Sequence, residues 1–324
     1  MLVLGEVLRV EELRTTFQIY GGMVHALDGV TFSIEESETL GMVGETGSGK
    51  SVTALSIMRL IEPPGEIVGG RVLLEGEDLL TKSEEEMRKI RGSKIAMIFQ
   101  DPMTSLDPVY RIGDQIAEVL MLHQQLDRKD ALDKAVELLI AAGIPSPDRV
   151  SRIYPHEASG GMKQRAMIAM ALSCQPKVLI ADEPTTALDV TIEAQILELI
   201  RNLKSKMKSS ILFITHNLGV VAQFCDKVVV LYAGNVVESA VVGDLFTSPL
   251  HPYTMGLLES IPRIDRRRRP LPVIQGTVPS MTNPPTGCRF HPRCSLASEQ
   301  CESEEPALCE VEPGHLVACA QFRR

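Results

Sequence analysis

Apolar residues near the start of the chain fall into short runs separated by polar and glycine-rich segments. Residues 8–11 and 30–34 alternate as half-buried strands do, with a turn at Gly21 and Gly22 between them. The apolar run at residues 39–43 then enters a glycine-rich segment, and residues 51–61 follow with helical spacing. The pattern therefore predicts a strand, a loop and a helix in direct succession.

Three further apolar runs, at residues 94–99, 177–181 and 210–214, show little alternation. Such runs are typical of strands that are buried on both faces of a parallel sheet. Residues 112–142 and 192–206 have helical spacing instead. The second of these helices lies between two of the runs, which predicts a βαβ unit and an α/β fold.

The pattern changes after residue 243, where periodicity fades and prolines become frequent. We predict a main domain over residues 1–243, with a helical subdomain at about 104–170, and a C-terminal domain over residues 244–324. The C-terminal domain is expected to be small and irregular, and to need a cross-link or a cofactor to hold it together.

Composition limits the class of partner. The chain has 324 residues, 44% of them hydrophobic, and a net charge of -9. This charge argues against nucleic acid as the main partner. The one dense basic run, residues 266–269, is either a solvated linker or a contact with anionic lipid or a neighbouring subunit. No apolar stretch reaches the roughly 18 to 20 residues of a spanning helix, and no signal peptide is recognisable. We expect a cytosolic protein, so that any membrane role must pass through a partner.

The glycine-rich segment fits the pattern of a phosphate-binding loop (P-loop) completely. Its glycines let backbone N–H groups surround phosphates, and the helix that follows directs its positive end toward them. Lys50 is expected to reach the β- and γ-phosphates, and the Ser51 hydroxyl to bind Mg²⁺. The candidate nucleotide-binding residues here are Gly44, Glu45, Thr46, Gly47, Ser48, Gly49, Lys50, Ser51 and Val52.

Two adjacent carboxylates, Asp182 and Glu183, end the apolar run at residues 177–181. The carboxyl end of a parallel strand next to a P-loop is well placed to hold Mg²⁺, which we assign to Asp182. Glu183 is then the candidate general base that takes a proton from the attacking water.

A second anion-binding turn is formed by Ser159, Gly160 and Gly161 at the start of a predicted helix. One chain needs only one such turn for its own nucleotide, so this turn is expected to complete the site of a facing subunit. Here the sequence resembles the ABC transporter ATPase family, whose signature motif occupies the same place. Ala158 and Met162 depart from the Leu and Gln usual in that motif, which leaves its detailed hydrogen bonding open.

The resemblance implies further site residues. Gln100 is similar to the family's glutamine that senses Mg²⁺ and the membrane partner, and Asp189 ends an Ala-Leu-Asp segment similar to the loop that reaches across the dimer. His216 lies where the family has a histidine on the γ-phosphate. Tyr20 resembles the aromatic residue that stacks on adenine, with Phe17 as a competitor and a core aromatic as the alternative. The implied fold is a P-loop NTPase (RecA-like) core with an antiparallel β subdomain, an α-helical signature subdomain and a cysteine-containing C-terminal appendage.

Segments outside these motifs, at residues 100–108, 251–254, 257–262 and 287–294, resemble the dipeptide and oligopeptide importer ATPases. Residues 49–52 together with residues 56–58 look more like the D-type than the F-type subunit. The resemblance implies ATP hydrolysis that powers peptide import at the cytoplasmic face of the membrane. It implies a second ATPase subunit (F-type or self), two permease subunits and, indirectly, an extracytoplasmic peptide-binding protein. Import of another solute such as nickel, or a redox-sensing ATP-binding module, are the alternatives. A DNA-maintenance ATPase would need a coiled-coil insertion or a basic surface, and neither is present.

Five of the seven cysteines lie between Cys288 and Cys319. In a reducing compartment this clustering favours metal or cluster ligation over disulfides. The spacing is longer than structural zinc sites favour, while four thiolates on longer loops can hold an iron–sulfur cluster. The family resemblance implies a [4Fe–4S] cluster on Cys288, Cys294, Cys301 and Cys319, with zinc or free thiols as alternatives.

Overall fold

The computed structural model describes residues 5–101, 105–186, 189–261 and 273–322. These residues form two compact units. The helical unit comprises Met1–Val7, Ile34–Glu38 and Thr81–Phe213, and the P-loop unit comprises Leu8–Ser33, Thr39–Leu80 and Ile214–Arg324. The predicted boundary between a main domain at residues 1–243 and a C-terminal domain at residues 244–324 is a different division, and it stays a prediction.

The helical unit alternates helices with short buried strands. The elements are α2 (Glu84–Ile90), β6 (Ile95–Ile98), α3 (Ile112–Gln124), α4 (Arg128–Ala141), α5 (Pro147–Val150), α6 (Gly160–Leu172), β7 (Val178–Asp182), α7 (Val190–Met207) and β8 (Ser210–Ile214). Strand order is β8-β7-β6, with β6 and β7 parallel, and every residue of β7 and β8 is buried. This burial explains why the apolar runs lack alternation.

The helix predicted over residues 112–142 is divided in two. Gln125 ends α3 in the left-handed region, at φ 56°. Asp127 then caps α4, where its carboxylate accepts a hydrogen bond from Asp130 N at 2.9 Å. A side-chain cap of this kind satisfies a backbone N–H that has no partner within the helix. Local capping therefore overrides the continuous apolar periodicity.

The strands of the P-loop unit are β1 (Glu6–Ile19), β2 (Gly22–Glu35), β3 (Thr39–Val43), β4 (Gly65–Leu74), β5 (Glu77–Asp78), β9 (Lys227–Tyr232), β10 (Asn235–Val241), β11 (Cys309–Glu312) and β12 (His315–Val317). They form an antiparallel sheet of order β2-β1-β4-β5 and a second set of strands of order β11-β12-β10-β9-β3, in which β3 and β9 are parallel. The helices of this unit are α1 (Lys50–Ile57), α8 (Leu218–Phe224), α9 (Val242–Thr247), α10 (Pro252–Glu259) and α11 (Glu299–Ser303).

The C-terminal part of the P-loop unit is more regular than the sequence predicts. Strand β12 pairs antiparallel with β10, and β11 pairs with β12. Tyr253, Leu258 and Phe290 join the apolar cluster around β9 and β10. This part of the chain is therefore held by sheet pairing and apolar packing, which is the ordinary source of stability in a folded domain. Among the described residues, no helix combines the length and apolar character that a membrane span requires.

Candidate nucleotide-binding and hydrolysis site

The P-loop follows the buried strand β3 and leads into α1. Gly49 precedes the helix with φ 107°, a backbone region that favours glycine. At Gly44 a Cβ atom would lie 2.2 Å from the Leu231 carbonyl oxygen and 2.6 Å from Ser48 Oγ. Glycine is therefore required at both positions, at Gly49 for conformation and at Gly44 for space.

Lys50 and Ser48 give the loop a polar interior. The Lys50 side chain is buried, and its Nζ donates to the carbonyl oxygens of Gly44 at 2.8 Å and Glu45 at 3.1 Å. Ser48 Oγ is buried and has no hydrogen-bond partner among the described residues. A buried ammonium group beside an unsatisfied hydroxyl, at the start of a helix, suits an anion such as a polyphosphate. The residues present thus fit the phosphate groups of ATP.

Two candidate catalytic residues of the helical unit lie in contact. Gln100 Nε2 donates to the Glu183 carboxylate at 3.1 Å, and the Thr186 hydroxyl donates to the same oxygen at 2.7 Å. Glu183 follows the buried Asp182 at the end of β7 and has φ 45°. A non-glycine residue in the left-handed region is strained, and such strain is common where a side chain must point in a set direction.

His216 belongs to the P-loop unit, between the end of β8 and the start of α8. Thr215 N donates to the Met42 carbonyl oxygen at 3.2 Å, next to the last residue of β3. Asn217 caps α8, and its Oδ1 accepts from Gly219 N at 3.0 Å. His216 is exposed, and its two neighbours fix its backbone beside the strand that leads into the P-loop.

The signature turn begins α6. Ser159 caps this helix by accepting from Met162 N at 3.4 Å. A Cβ at Gly160 would meet no atom within 4 Å, and one at Gly161 would meet only Ile192 Cγ2 at 3.8 Å. Neither glycine has the positive φ that would demand glycine. No contact among the described residues therefore explains these two glycines, whereas close approach of a ligand to the backbone would.

Asp189 and Tyr20 have clear structural settings. Asp189 caps α7, accepting from Ile192 N at 2.9 Å, which is a structural role for a residue predicted to bind nucleotide. The other two residues of this predicted loop, Ala187 and Leu188, lie outside the described residues, as does the basic run at residues 266–269.

Tyr20 is fully exposed at the turn between β1 and β2, so it is not a core aromatic. Phe17, its competitor, is half-buried with its ring against Gly65.

Sequence reasoning missed two residues that contact the P-loop. The Arg293 guanidinium donates to both carboxylate oxygens of Glu45, at 2.6 and 3.1 Å. Tyr253 Oη accepts a hydrogen bond from Glu45 N at 2.9 Å. Arg293 lies in the segment 287–294 and Tyr253 in the segment 251–254. Both segments were singled out by resemblance, but no local pattern indicated a contact with the loop.

Comparison with known proteins agrees with this chemistry. A family model described as ABC transporter matches residues 27–186. The probable peptide ABC transporter ATP-binding protein y4tR of Sinorhizobium fredii is 54% identical over 316 residues, which cover 96% of this chain and 94% of that protein. The chain belongs to the family of ABC transporter ATP-binding proteins. It is an ABC-type ATPase, as predicted, and members of this family use ATP with Mg²⁺.

Further matches to known proteins include the C-terminal part of this ABC ATPase. A second family model, Oligopeptide/dipeptide transporter, C-terminal region, matches residues 237–301. The oligopeptide transport ATP-binding protein AppD of Bacillus subtilis is 51% identical, covering 98% of this chain and 97% of that protein. A solved structure of the ATP-binding cassette MJ0796, in a dimeric post-hydrolysis state with ADP and Pi, is 26% identical. It has a TM-score of 0.66 and covers 72% of this chain and 98% of that one. The predicted P-loop NTPase fold class is confirmed.

The iron–sulfur prediction is wrong. Across residues 5–101, 105–186, 189–261 and 273–322, no group of three or more His, Cys, Asp or Glu side chains could hold a metal ion. The same finding removes the zinc alternative. All seven cysteines of this ABC ATPase are free, including the four predicted ligands Cys288, Cys294, Cys301 and Cys319.

Two of the four predicted ligands lie in apolar surroundings. Cys288 and Cys294 pack against the apolar cluster around β9 and β10. Burial raises the pKa of the Cys288 thiol to about 11, and it also raises the pKa of Cys294 and of Cys319. Free thiols in such surroundings behave as small apolar side chains. Cys288 and Cys294 therefore contribute to packing.

Proposed function

We propose that this ABC ATPase powers the import of di- and oligopeptides through a separate membrane permease. The observation that carries the proposal is the extent of the likeness. The cassette MJ0796 matches 72% of the chain, whereas the peptide transporter protein y4tR matches 96% and a peptide-transporter family model matches residues 237–301. The C-terminal region thus distinguishes this chain from a cassette alone.

The proposed nucleotide contacts follow from the P-loop. Lys50 neutralises the β- and γ-phosphates, and backbone N–H groups of residues 44–51 donate to phosphate oxygens. Ser51, Asp182 and Gln100 would hold Mg²⁺, since hydroxyl, carboxylate and amide oxygens are the ligands this ion prefers. When bound, Mg²⁺ supplies positive charge that offsets the charge developing on the phosphates. Tyr20 stacks on the adenine ring.

The proposed hydrolysis uses Glu183 as general base. Its carboxylate accepts a proton from water as the water oxygen attacks the γ-phosphorus, and the bond from that phosphorus to the β-phosphate oxygen breaks. Gln100 orients Glu183, which is supported by the 3.1 Å hydrogen bond between them. His216 donates to the γ-phosphate. The products are ADP and phosphate.

We propose that a second ATPase subunit completes each site. Ser159, Gly160 and Gly161 of one subunit would contact the γ-phosphate held by the other, with Asp189 near the crossing point. The open space at both glycines supports this, because a phosphate oxygen can approach a backbone N–H closely only where no Cβ intervenes. ATP binding then closes the pair and hydrolysis reopens it.

The proposed partners are a homologous F-type ATPase or a second copy of this chain, two permease subunits and, indirectly, an extracytoplasmic peptide-binding protein. The protein would lie at the cytoplasmic face of the membrane, attached through the permease. The net charge of -9 supports a protein partner over nucleic acid.

Transport by the whole assembly tests the proposal. The chain is co-purified with its permease, reconstituted into proteoliposomes with the binding protein, and supplied with ATP. We expect accumulation of labelled di- to pentapeptides that is lost in Lys50→Ala. Accumulation of Ni²⁺ without peptide would replace the peptide assignment with the nickel alternative. Loss of ATPase activity on replacing Cys288, Cys294, Cys301 and Cys319 by Ser, in a protein that still folds, would favour the redox-sensing alternative.

A further inference from the structure

The second residue of the P-loop, Glu45, is bonded to the C-terminal region from two directions. Its carboxylate forms a two-pronged ion pair with Arg293, at 2.6 and 3.1 Å, and its backbone N–H donates to Tyr253 Oη at 2.9 Å. Arg293 and Glu45 are 248 residues apart in sequence. The C-terminal region therefore holds both the side chain and the backbone of one loop residue.

The Arg293 side chain is itself fixed. Its side chain is only 5% exposed, and Nε donates to the Gln275 carbonyl oxygen at 2.9 Å. Its guanidinium carbon lies 5.7 Å from the ring centre of Tyr232 and 6.0 Å from that of Phe290. Arginine stacked on aromatic rings and bonded on several edges has little freedom to move. Glu45 is thus bonded to a rigid anchor.

The same loop residue also contacts the phosphate-binding lysine. Lys50 Nζ donates to the Glu45 carbonyl oxygen at 3.1 Å. Tyr253, the other holder of Glu45, is fully buried, and its ring centre lies 4.6 Å from that of Tyr232. The N–H and carboxylate of Glu45 therefore face the C-terminal region, while its carbonyl oxygen faces Lys50. A shift of Arg293 or Tyr253 would reach Lys50 through a single residue.

We propose that Arg293 is a positioning residue for ATP binding, which holds the P-loop in its binding conformation through Glu45. The C-terminal region then acts as a support for the nucleotide site as well as a feature of the transporter type. This inference rests on the proposed binding of ATP phosphates by the P-loop and is independent of which solute is transported.

The energetics favour a positioning role over a purely stabilising one. A largely buried ion pair gains little net stability, because removing both charges from water costs nearly as much as their attraction returns. A planar guanidinium bonded twice to a carboxylate nevertheless fixes geometry closely. By thermodynamic reciprocity, if docking of the C-terminal region tightens ATP binding, ATP binding must tighten that docking by the same factor.

The test measures ATP binding and hydrolysis by the purified full-length chain. Arg293→Gln should raise the Kd for a fluorescent ATP analogue with Mg²⁺, and the KM for ATP, about fivefold or more, the range typical of coupled sites. The kcat at saturating ATP should change by less than about twofold, since bound nucleotide restores the loop conformation. Arg293→Lys keeps the charge and loses the two-pronged geometry. Its Kd and KM should lie between those of Arg293→Gln and those of the natural protein.

Arg289→Gln is the matched control. Arg289 is a buried arginine of the same segment, but it bonds to Asp28 and to the Ala233 carbonyl oxygen, outside the P-loop. It should lower stability without raising the Kd. An unchanged Kd in Arg293→Gln, or an equal rise in Arg289→Gln, would overturn the inference. If Arg293→Gln does not fold, Arg293→Lys is compared alone and in a Glu45→Gln background, where it should add no further loss. Additive losses would contradict action through Glu45.

The outcomes also separate this inference from the proposed function. If the natural protein binds no ATP analogue, the P-loop assignment itself fails. If it binds ATP and Lys50→Ala does not, while Arg293→Gln binds as tightly as the natural protein, only the positioning role fails. Hydrogen exchange gives a further readout, because the segment around Arg293 should exchange more slowly when the analogue is bound. Equal exchange with and without it would count against the coupling.

Discussion

Gln100 and Glu183 are joined by a hydrogen bond of 3.1 Å from the glutamine amide to the glutamate carboxylate. The two residues are 83 positions apart, and each was singled out for a different reason, one by resemblance and one by its place at the end of a strand. The Thr186 hydroxyl donates to the same carboxylate. Two donors fix the direction of the carboxylate, which a general base needs before it can take a proton from a positioned water.

Replacing Glu183 by Gln should abolish turnover and preserve ATP binding. The substitution keeps the shape of the side chain and removes its ability to accept the proton, which typically costs 10²- to 10⁴-fold in rate. Phosphate release gives the rate, and a fluorescent ATP analogue gives the affinity. Glu193→Gln is a matched control, because Glu193 also accepts a threonine hydroxyl, from Thr185 at 2.8 Å. An ATPase rate within about twofold of the natural protein would refute Glu183 as the base.

Alanine at the two signature glycines should separate folding from activity. A Cβ at Gly160 or Gly161 meets no close atom in the chain, so stability should be unchanged or raised by a few tenths of a kcal/mol. ATPase activity should fall about tenfold or more, because the added methyl groups would stand between the turn and the partner's nucleotide. Thermal unfolding and phosphate release measure the two effects.

The matched control for this pair is Gly243→Ala. Gly243 lies in the first turn of α9, and a Cβ there also meets open space. It should change the free energy of unfolding by no more than about 0.5 kcal/mol, the usual range of a surface substitution. The ATPase activity should stay that of the natural protein. If Gly160→Ala and Gly161→Ala behave like this control in the ATPase assay, the signature turn has no partner nucleotide to contact.

The local parts of the site were predictable from sequence, because each rests on neighbouring residues. The P-loop at residues 44–51 follows an apolar strand and leads into a helix, and Asp182 and Glu183 end a recognisable buried run. The break at Gln125 was missed because a cap at Asp127 outweighs apolar periodicity. Within α4, Ile140 is 59% exposed, whereas Ala131 and Ala135 are buried. Small alanines give little signal in a hydrophobic pattern.

Long-range contacts were beyond the sequence patterns. Nothing in the spacing of Arg293 or Tyr253 indicates that they hold Glu45, since the contact depends on β9, β10 and the segments packed on them. The cysteines show the converse error. Their clustering in sequence suggested ligation, whereas Cys288 and Cys294 are partly buried against an apolar cluster that local pattern could not reveal.

Tyr20→Ala should weaken ATP binding and leave stability unchanged. Its ring is fully exposed, so its removal costs the fold little. Stacking of a base on an aromatic side chain contributes about 1 to 3 kcal/mol, which predicts a rise of about fivefold or more in the Kd. Phe17→Ala should do the opposite, lowering stability by about 1 to 2 kcal/mol as its packing on Gly65 is lost. Equal Kd values for Tyr20→Ala and the natural protein would remove Tyr20 from the site.

The stability of the P-loop unit should fall with acid below pH 6.5 through His251. This ring is 1% exposed, and burial lowers its pKa from 6.5 to about 4, while its Nδ1 accepts from Tyr253 N at 3.0 Å. Between these pH values the unfolded chain binds a proton that the folded chain does not. The contribution of neutral His251 to the free energy of unfolding is therefore fully present above pH 6.5 and is lost as the pH falls to about 4. The free energy of unfolding should fall by about 1.4 kcal/mol per pH unit over this range, or about 3 kcal/mol in all. His251→Asn keeps a helix-capping acceptor without the titration. Its unfolding free energy, measured with denaturant at pH 7 and pH 4.5, should fall less than that of the natural protein, and equal falls would exclude His251 as the titrating group.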